Sequence, residues 1–121
     1  MSPKEARVWQ IDDDLDEIKI TGMMLRTVGH TVVGTSSSLK DASRDIPNLA
    51  KKDVGIVIMD GDLSGGNNTD DGERLSEDIR KQHGNKVAII GHAQSKDIIN
   101  AHSNCPKVEG VTNLVKKVTE V

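Results

Sequence analysis

The residues in this sequence best able to do chemistry are aspartates that follow short apolar runs. Asp12, Asp13 and Asp14 follow Arg7-Val8-Trp9-Gln10-Ile11, and Asp60, with Asp62 two residues on, follows Val54-Gly55-Ile56-Val57-Ile58-Met59. If both runs are neighbouring strands, their acids converge on one sheet edge, and like charges there repel unless protons or a cation offset them. A hard divalent cation is the natural offset, and Mg2+ suits a site with few carboxylates that also engages phosphoryl oxygens. An EF-hand fits worse, because the stretch from Asp60 to Gly66 follows a strand and has no glutamate at the twelfth position. The plain alternative is that strand-end acids cap the helices that follow them, as Asp13 or Asp14 could.

Positioning those acids requires a parallel sheet, and the periodicity supplies one. Short apolar runs alternate with amphipathic stretches along the whole chain, the pattern of an α/β protein. After the first run, Leu15, Ile18, Leu25 and Val28 fall near one helical face and Gly29 stops the helix. Thr31 to Gly34 reads as a weak second strand, followed by a helix capped among Ser36 to Ser38, carrying Leu39, Ala42 and Ile46, and ended by Pro47. The run ending at Met59 is the central strand, apolar without interruption because helices cover both faces. A polar, glycine-rich loop leads to a helix capped by Asp70 or Asp71, with Leu75 and Ile79 inward. Val87-Ala88-Ile89-Ile90 is a fourth strand, Ser95 can cap a short helix through Ile98, Ile99 and Ala101, and Val111 to Val115 is predicted as the fifth strand. In such sheets ligands bind beyond the carboxyl ends of the strands, which is where the acids stand.

Composition narrows the function classes. The 121 residues suit one domain, 1–121, and the core must come from aliphatic side chains, because Trp9 is the sole aromatic. A net charge of −3, with basic residues no more clustered than Lys51-Lys52, Arg80-Lys81 and Lys116-Lys117, argues against nucleic acid as a partner. The lone Cys105 forms no internal disulfide, and neither a leader nor an apolar run of spanning length is present, so no membrane partner and a cytoplasmic location are expected.

At the level of motifs the chain resembles the receiver domains of two-component response regulators. The resemblance rests on Ile11-Asp12-Asp13 at the end of the first strand and Ile58-Met59-Asp60 at the end of the third. It implies a doubly wound five-stranded parallel sheet of flavodoxin-like topology, here with the last helix short or missing. It also implies that Asp60 accepts a phosphoryl group, that Asp13 binds Mg2+ directly, that Asp12 does so directly or through water, and that the Asp62 carbonyl completes the protein share. Independently, a carboxylate beside a cation and an ammonium is enough machinery for in-line phosphoryl transfer.

The family also places a lysine near the end of strand five. Aligning Gly110 to Lys117 with that segment makes Lys116 the phosphate partner and sets Asn113 where the family has an aromatic switch residue. A rival register puts Asn113 at the lysine position and makes Leu114 to Val121 a short last helix. After strand four the family has a hydroxyl residue followed by Ala; here Gly91-His92-Ala93 sets His92 at that position, unless a one-residue shift puts Gly91 or Ala93 there. An imidazole can donate a hydrogen bond to a phosphoryl oxygen and ordinarily titrates near neutral pH. The plain alternative is a loop histidine at the surface.

With Lys116 on strand five, too little chain remains to cover the face beside the first helix, and Leu25 or Val28 exposed there would favour a homodimer. The expected partners are a histidine kinase or phosphotransfer protein as donor and a separate effector protein for output. Two other functions compete. A receiver-like docking module that no longer switches is favoured by the histidine, by the missing aromatic and by the short C-terminus, and disfavoured by the intact acids. A haloacid-dehalogenase-like phosphatase would use Asp60 as nucleophile and Asp62 as general acid, but it leaves Asp12 and Asp13 unexplained, and that motif normally opens its fold.

Overall fold

A computed structural model describes residues 5–61, 63, 70–94 and 97–120. Five strands, β1 (Arg7–Ile11), β2 (Thr31–Ser36), β3 (Ile56–Met59), β4 (Ala88–Gly91) and β5 (Ser103–Asn104), form one parallel sheet in the order β2-β1-β3-β4-β5. The helices are α1 (Leu15–Thr27), α2 (Leu39–Asp45), α3 (Asp70–His83) and α4 (Val111–Glu120). This is the doubly wound α/β architecture expected from the sequence.

Strand alternation divides the core in two. Val57 and Met59 of β3 pack with Ala42 and Ile46 from the α2 region and with Leu75 and Ile79 of α3. Ile56 and Ile58 turn the other way, onto Leu25 of α1 and Leu114, Val115 and Val118 of α4. An uninterrupted apolar run is therefore what β3 needs.

Local signals start the helices where the sequence places them. Asp14 caps α1, its carboxylate accepting from the amides of Asp16 (3.1 Å) and Glu17 (3.2 Å), and Ser38 caps α2 by accepting from the Asp41 amide. Beside β1, a Cβ on Gly34 would overlap the Trp9 ring, so glycine makes room for the one large side chain of the sheet. Trp9 Nε1 donates to Ser36 Oγ, which donates on to Asp45, leaving no buried indole donor unpaired.

The C-terminal third corrects the sequence reading. Val111 to Val115 is not a strand; it opens α4, whose Val111, Leu114, Val115 and Val118 fall at helical spacing after Gly110. The fifth strand is Ser103–Asn104, two residues with no apolar run to mark them. The last helix is thus present, and it covers the face expected to lie open. Leu25 is completely buried under it, whereas Val28, at the end of α1, stays 47% exposed. The helix missing among the described residues lies instead between β4 and β5. Residues 97–102 form a non-helical segment tied down by Arg80 Nε donating to the Asn100 carbonyl (2.6 Å) and Asn100 Nδ2 donating to that of Glu73. The predicted cap at Ser95 lies outside the described residues. No helix among the described residues is long and apolar enough to cross a membrane.

Candidate phosphoryl-transfer site

Sheet register builds the site. Ile11 pairs with Met59 and Met59 with Gly91, so the next residues, Asp12, Asp60 and His92, form a row across β1, β3 and β4. The Asp60 amide donates to the Ile11 carbonyl and the His92 amide to that of Met59, each at 2.8 Å. Cys105 extends the row past β5, its amide donating to the Gly91 carbonyl at 2.7 Å. By strand alternation the row turns toward α1 and α4.

The carboxylates of Asp12, Asp13 and Asp60 each offer an oxygen within 4.8 Å of the others, Asp12 and Asp60 buried and Asp13 exposed at the rim. This donor set, all carboxylate oxygen, suits a hard divalent cation. Asp12 Oδ1 accepts from the Asp14 amide and Asp60 Oδ1 from the Gly61 amide. Against Asp60 stands the first turn of α3, where a Cβ on Gly72 would strike the Asp60 carbonyl. Only glycine lets the helix approach the Asp60 backbone so closely.

Lys107 supplies the positive charge. Its Nζ lies 3.2 Å from Asp12 Oδ2 and 3.6 Å from Asp60 Oδ1, with its side chain only 17% exposed. Its amide donates to the Ala93 carbonyl, which fixes the turn carrying it to the β4 end of the sheet. Burial and then the adjacent Asp12 charge push the Asp60 carboxyl up to about 8, against the pull of Lys107. Burial also raises Asp12, opposed by the Asp14 amide and Lys107. For Lys107, burial works against the charged form, but Asp12 and Asp60 together outweigh it and raise the ammonium above its usual value. Two carboxylates that resist ionising side by side form a site short of positive charge, which a cation would relieve.

The sequence-predicted residues divide accordingly. Asp12, Asp13 and Asp60 are brought together, while Asp62 and most of the glycine-rich loop after it lie outside the described residues. Lys116 is not the lysine at the site: it is exposed on α4, and Lys107 takes that place. Asn113 is also on α4, and the asparagine of β5 is Asn104. His92 does stand beside Asp60 in the sheet, but as a completely buried residue and not a surface one. Its Nδ1 lies 2.7 Å from the Cys105 carbonyl and its Nε2 2.9 Å from Glu17 Oε1. Lys107 and Glu17 are the residues that sequence reasoning missed. Pro106, which ends the extended segment just before Lys107, is the signal that could have marked the lysine; Glu17 gave none beyond its place in the first turn of α1.

No protein-family model matches the chain, and no curated protein matches it. Solved structures do. A CheY-like response regulator receiver domain from Methanospirillum hungatei is 18% identical, with a TM-score of 0.77 over 97% of this chain and 93% of that one. A receiver domain from Clostridium thermocellum is 20% identical, with a TM-score of 0.77 over 95% and 92%. The Borrelia burgdorferi CheY crystallised in a CheX-CheY-BeF3-Mg2+ complex is 17% identical, with a TM-score of 0.79 over 95% and 87%. With its sheet order, its acidic row and these neighbours, the chain has the fold of a response regulator receiver domain.

Proposed function

We propose that this chain is a phosphoacceptor receiver module of two-component signalling, carried by one observation: Lys107 reaches both Asp12 and Asp60 within a cluster of three carboxylates. An Asp60 carboxylate oxygen attacks the phosphorus of a donor in line, the bond to the leaving group breaks with its electron pair, and an acyl phosphate remains on Asp60. Lys107 neutralises charge on the transferred group's oxygens. Asp12, Asp13 and Asp60, with the Asp62 carbonyl, would hold Mg2+, which when bound supplies further charge neutralisation at the same oxygens. The donor is a histidine kinase or phosphotransfer protein, the output passes to a separate effector protein, and the setting is the cytoplasm. Residues 1–121 act as one unit.

Intact mass after incubation with acetyl phosphate tests this. A Mg2+-dependent gain of one phosphoryl group by the wild type, absent in Asp60→Asn, is the expected result; no gain with Mg2+ present sinks the reading.

One observation favours a second reading, a receiver-like docking module that does not switch. The Asn104 side chain accepts from the Ile98 amide (2.9 Å) and donates to the Ile98 carbonyl (3.3 Å), pinning residues 97–102, which are non-helical, ahead of β5. Retained Mg2+ affinity without phosphorylation would select it.

A further inference from the structure

His92 differs from buried His30 and exposed His102 in what its ring faces. His30 and His102 each accept a backbone amide on Nδ1, from Ala6 and Ile89 respectively, so both are neutral rings. At His92 both partners are acceptors. The Cys105 carbonyl can only accept, so Nδ1 carries a proton, and Nε2 meets the Glu17 carboxyl group at 2.9 Å. Either Nε2 is also protonated and the pair is imidazolium and carboxylate, or Glu17 holds the proton as a neutral acid.

Charge around Glu17 decides between them. It sits in the first turn of α1, where the helix end favours an anion, and its side chain is 24% exposed. Both favour the carboxylate, and with Nδ1 committed to the Cys105 carbonyl the shared proton then lies on Nε2, in spite of the burial of the ring. The groups on the ring are Glu17 from α1 and the Cys105 carbonyl beyond β5; in the row, Asp60 follows β3 beside it and Asp12 follows β1 one strand further, with Lys107 at those two carboxylates.

We propose that Glu17 is a positioning residue that holds His92 as an imidazolium next to Asp60 and yields it when Asp60 carries a phosphoryl group. The release step rests on the phosphoacceptor reading; the charged pair does not. Neighbouring strands lie about 4.8 Å apart, and Asp60 and His92 leave them on the same face. A phosphoryl group adds roughly two negative charges there and competes with the single charge of Glu17 for the Nε2 proton. Glu17, once released, stays in the first turn of α1 at the partly exposed rim. Exchange of one partner for the other therefore transmits the state of Asp60 to the start of α1, a route that does not need the pinned segment beyond β4 to move.

Ring 15N NMR of histidine-labelled protein, with His92→Asn for assignment, tests both parts. At pH 7 the wild type is expected to show both His92 nitrogens protonated, and Glu17→Gln is expected to lose the Nε2 proton signal while the protein stays folded by its amide spectrum. Adding Mg2+ and fluoroberyllate, with binding followed by 19F NMR, should shift His92 Nε2 and the first-turn amides of α1 in the wild type. A neutral His92 in the folded wild type overturns the proposal, as does an unmoved Nε2 in protein shown to have bound fluoroberyllate. Protein that takes neither fluoroberyllate nor a phosphoryl group overturns the parent reading and the release step with it, while the ring shifts still decide the charged pair.

Discussion

Lys107 Nζ stands 3.6 Å from Asp60 Oδ1 and closer still, 3.2 Å, to Asp12 Oδ2, so one ammonium serves two buried carboxylates that would otherwise repel. That arrangement makes Lys107 the first residue to remove. Lys107→Ala should slow phosphorylation of Asp60 by about 100-fold, the scale of losing one donor to developing oxyanion charge. Lys116→Ala, on the exposed face of α4, should match the wild type. Rates of mass gain from acetyl phosphate measure both, and equal rates for the two variants would contradict the placement of Lys107.

Stability without a divalent cation should fall as pH rises. Folding raises the Asp60 carboxyl from 3.8 to about 8 and raises Asp12 as well, so the folded protein binds these protons more tightly than the unfolded chain. The contribution is full below about pH 4 and is lost as pH climbs toward 8, by at most about 1.4 kcal/mol per pH unit for each group. Melting in EDTA at pH 5, 6, 7 and 8 should show this decline relative to Asp60→Asn. Added Mg2+ should raise the wild-type midpoint more at pH 8 than at pH 5, because the cation then has fewer protons to displace from Asp60 and Asp12.

Gly34→Ala should cost about 1–3 kcal/mol, the usual penalty for overpacking, because the new methyl overlaps the Trp9 ring. Trp9 fluorescence reports the unfolding directly. Adding Trp9→Leu should recover part of the loss in the double variant, and a strictly additive double variant would refute the clash.

Gly91 and Asn104 should be coupled in the same way. A Cβ on Gly91 would collide with the Asn104 amide oxygen that holds the Ile98 amide. Gly91→Ala is expected to destabilise the fold, Asn104→Ala to lose about 1–2 kcal/mol with faster hydrogen exchange at Ile98, and the double variant to fall short of the sum. Denaturant melts of the four proteins close the cycle.

The sequence by itself determined the acidic half of the site. Apolar runs that end in Asp12-Asp13 and in Asp60 are legible because a strand buried on both faces must be apolar throughout, and parallel pairing then brings their ends together. Local capping chemistry likewise narrowed the starts of α1 and α2 to Asp13 or Asp14 and to Ser36 to Ser38, of which Asp14 and Ser38 are the caps. The basic half was decided by tertiary structure alone. Ser103–Asn104 has no strand character of its own and is extended because Gly91 and Ile89 of β4 accept its neighbours' amides, those of Cys105 and His102. The β-branched run from Val111 looked more like a strand, yet it buries a helical stripe against Leu25, and packing outweighs propensity. Lys107 and the partnership of His92 with Glu17, 75 positions away in sequence, follow from that register, and no local pattern records which strands will lie side by side.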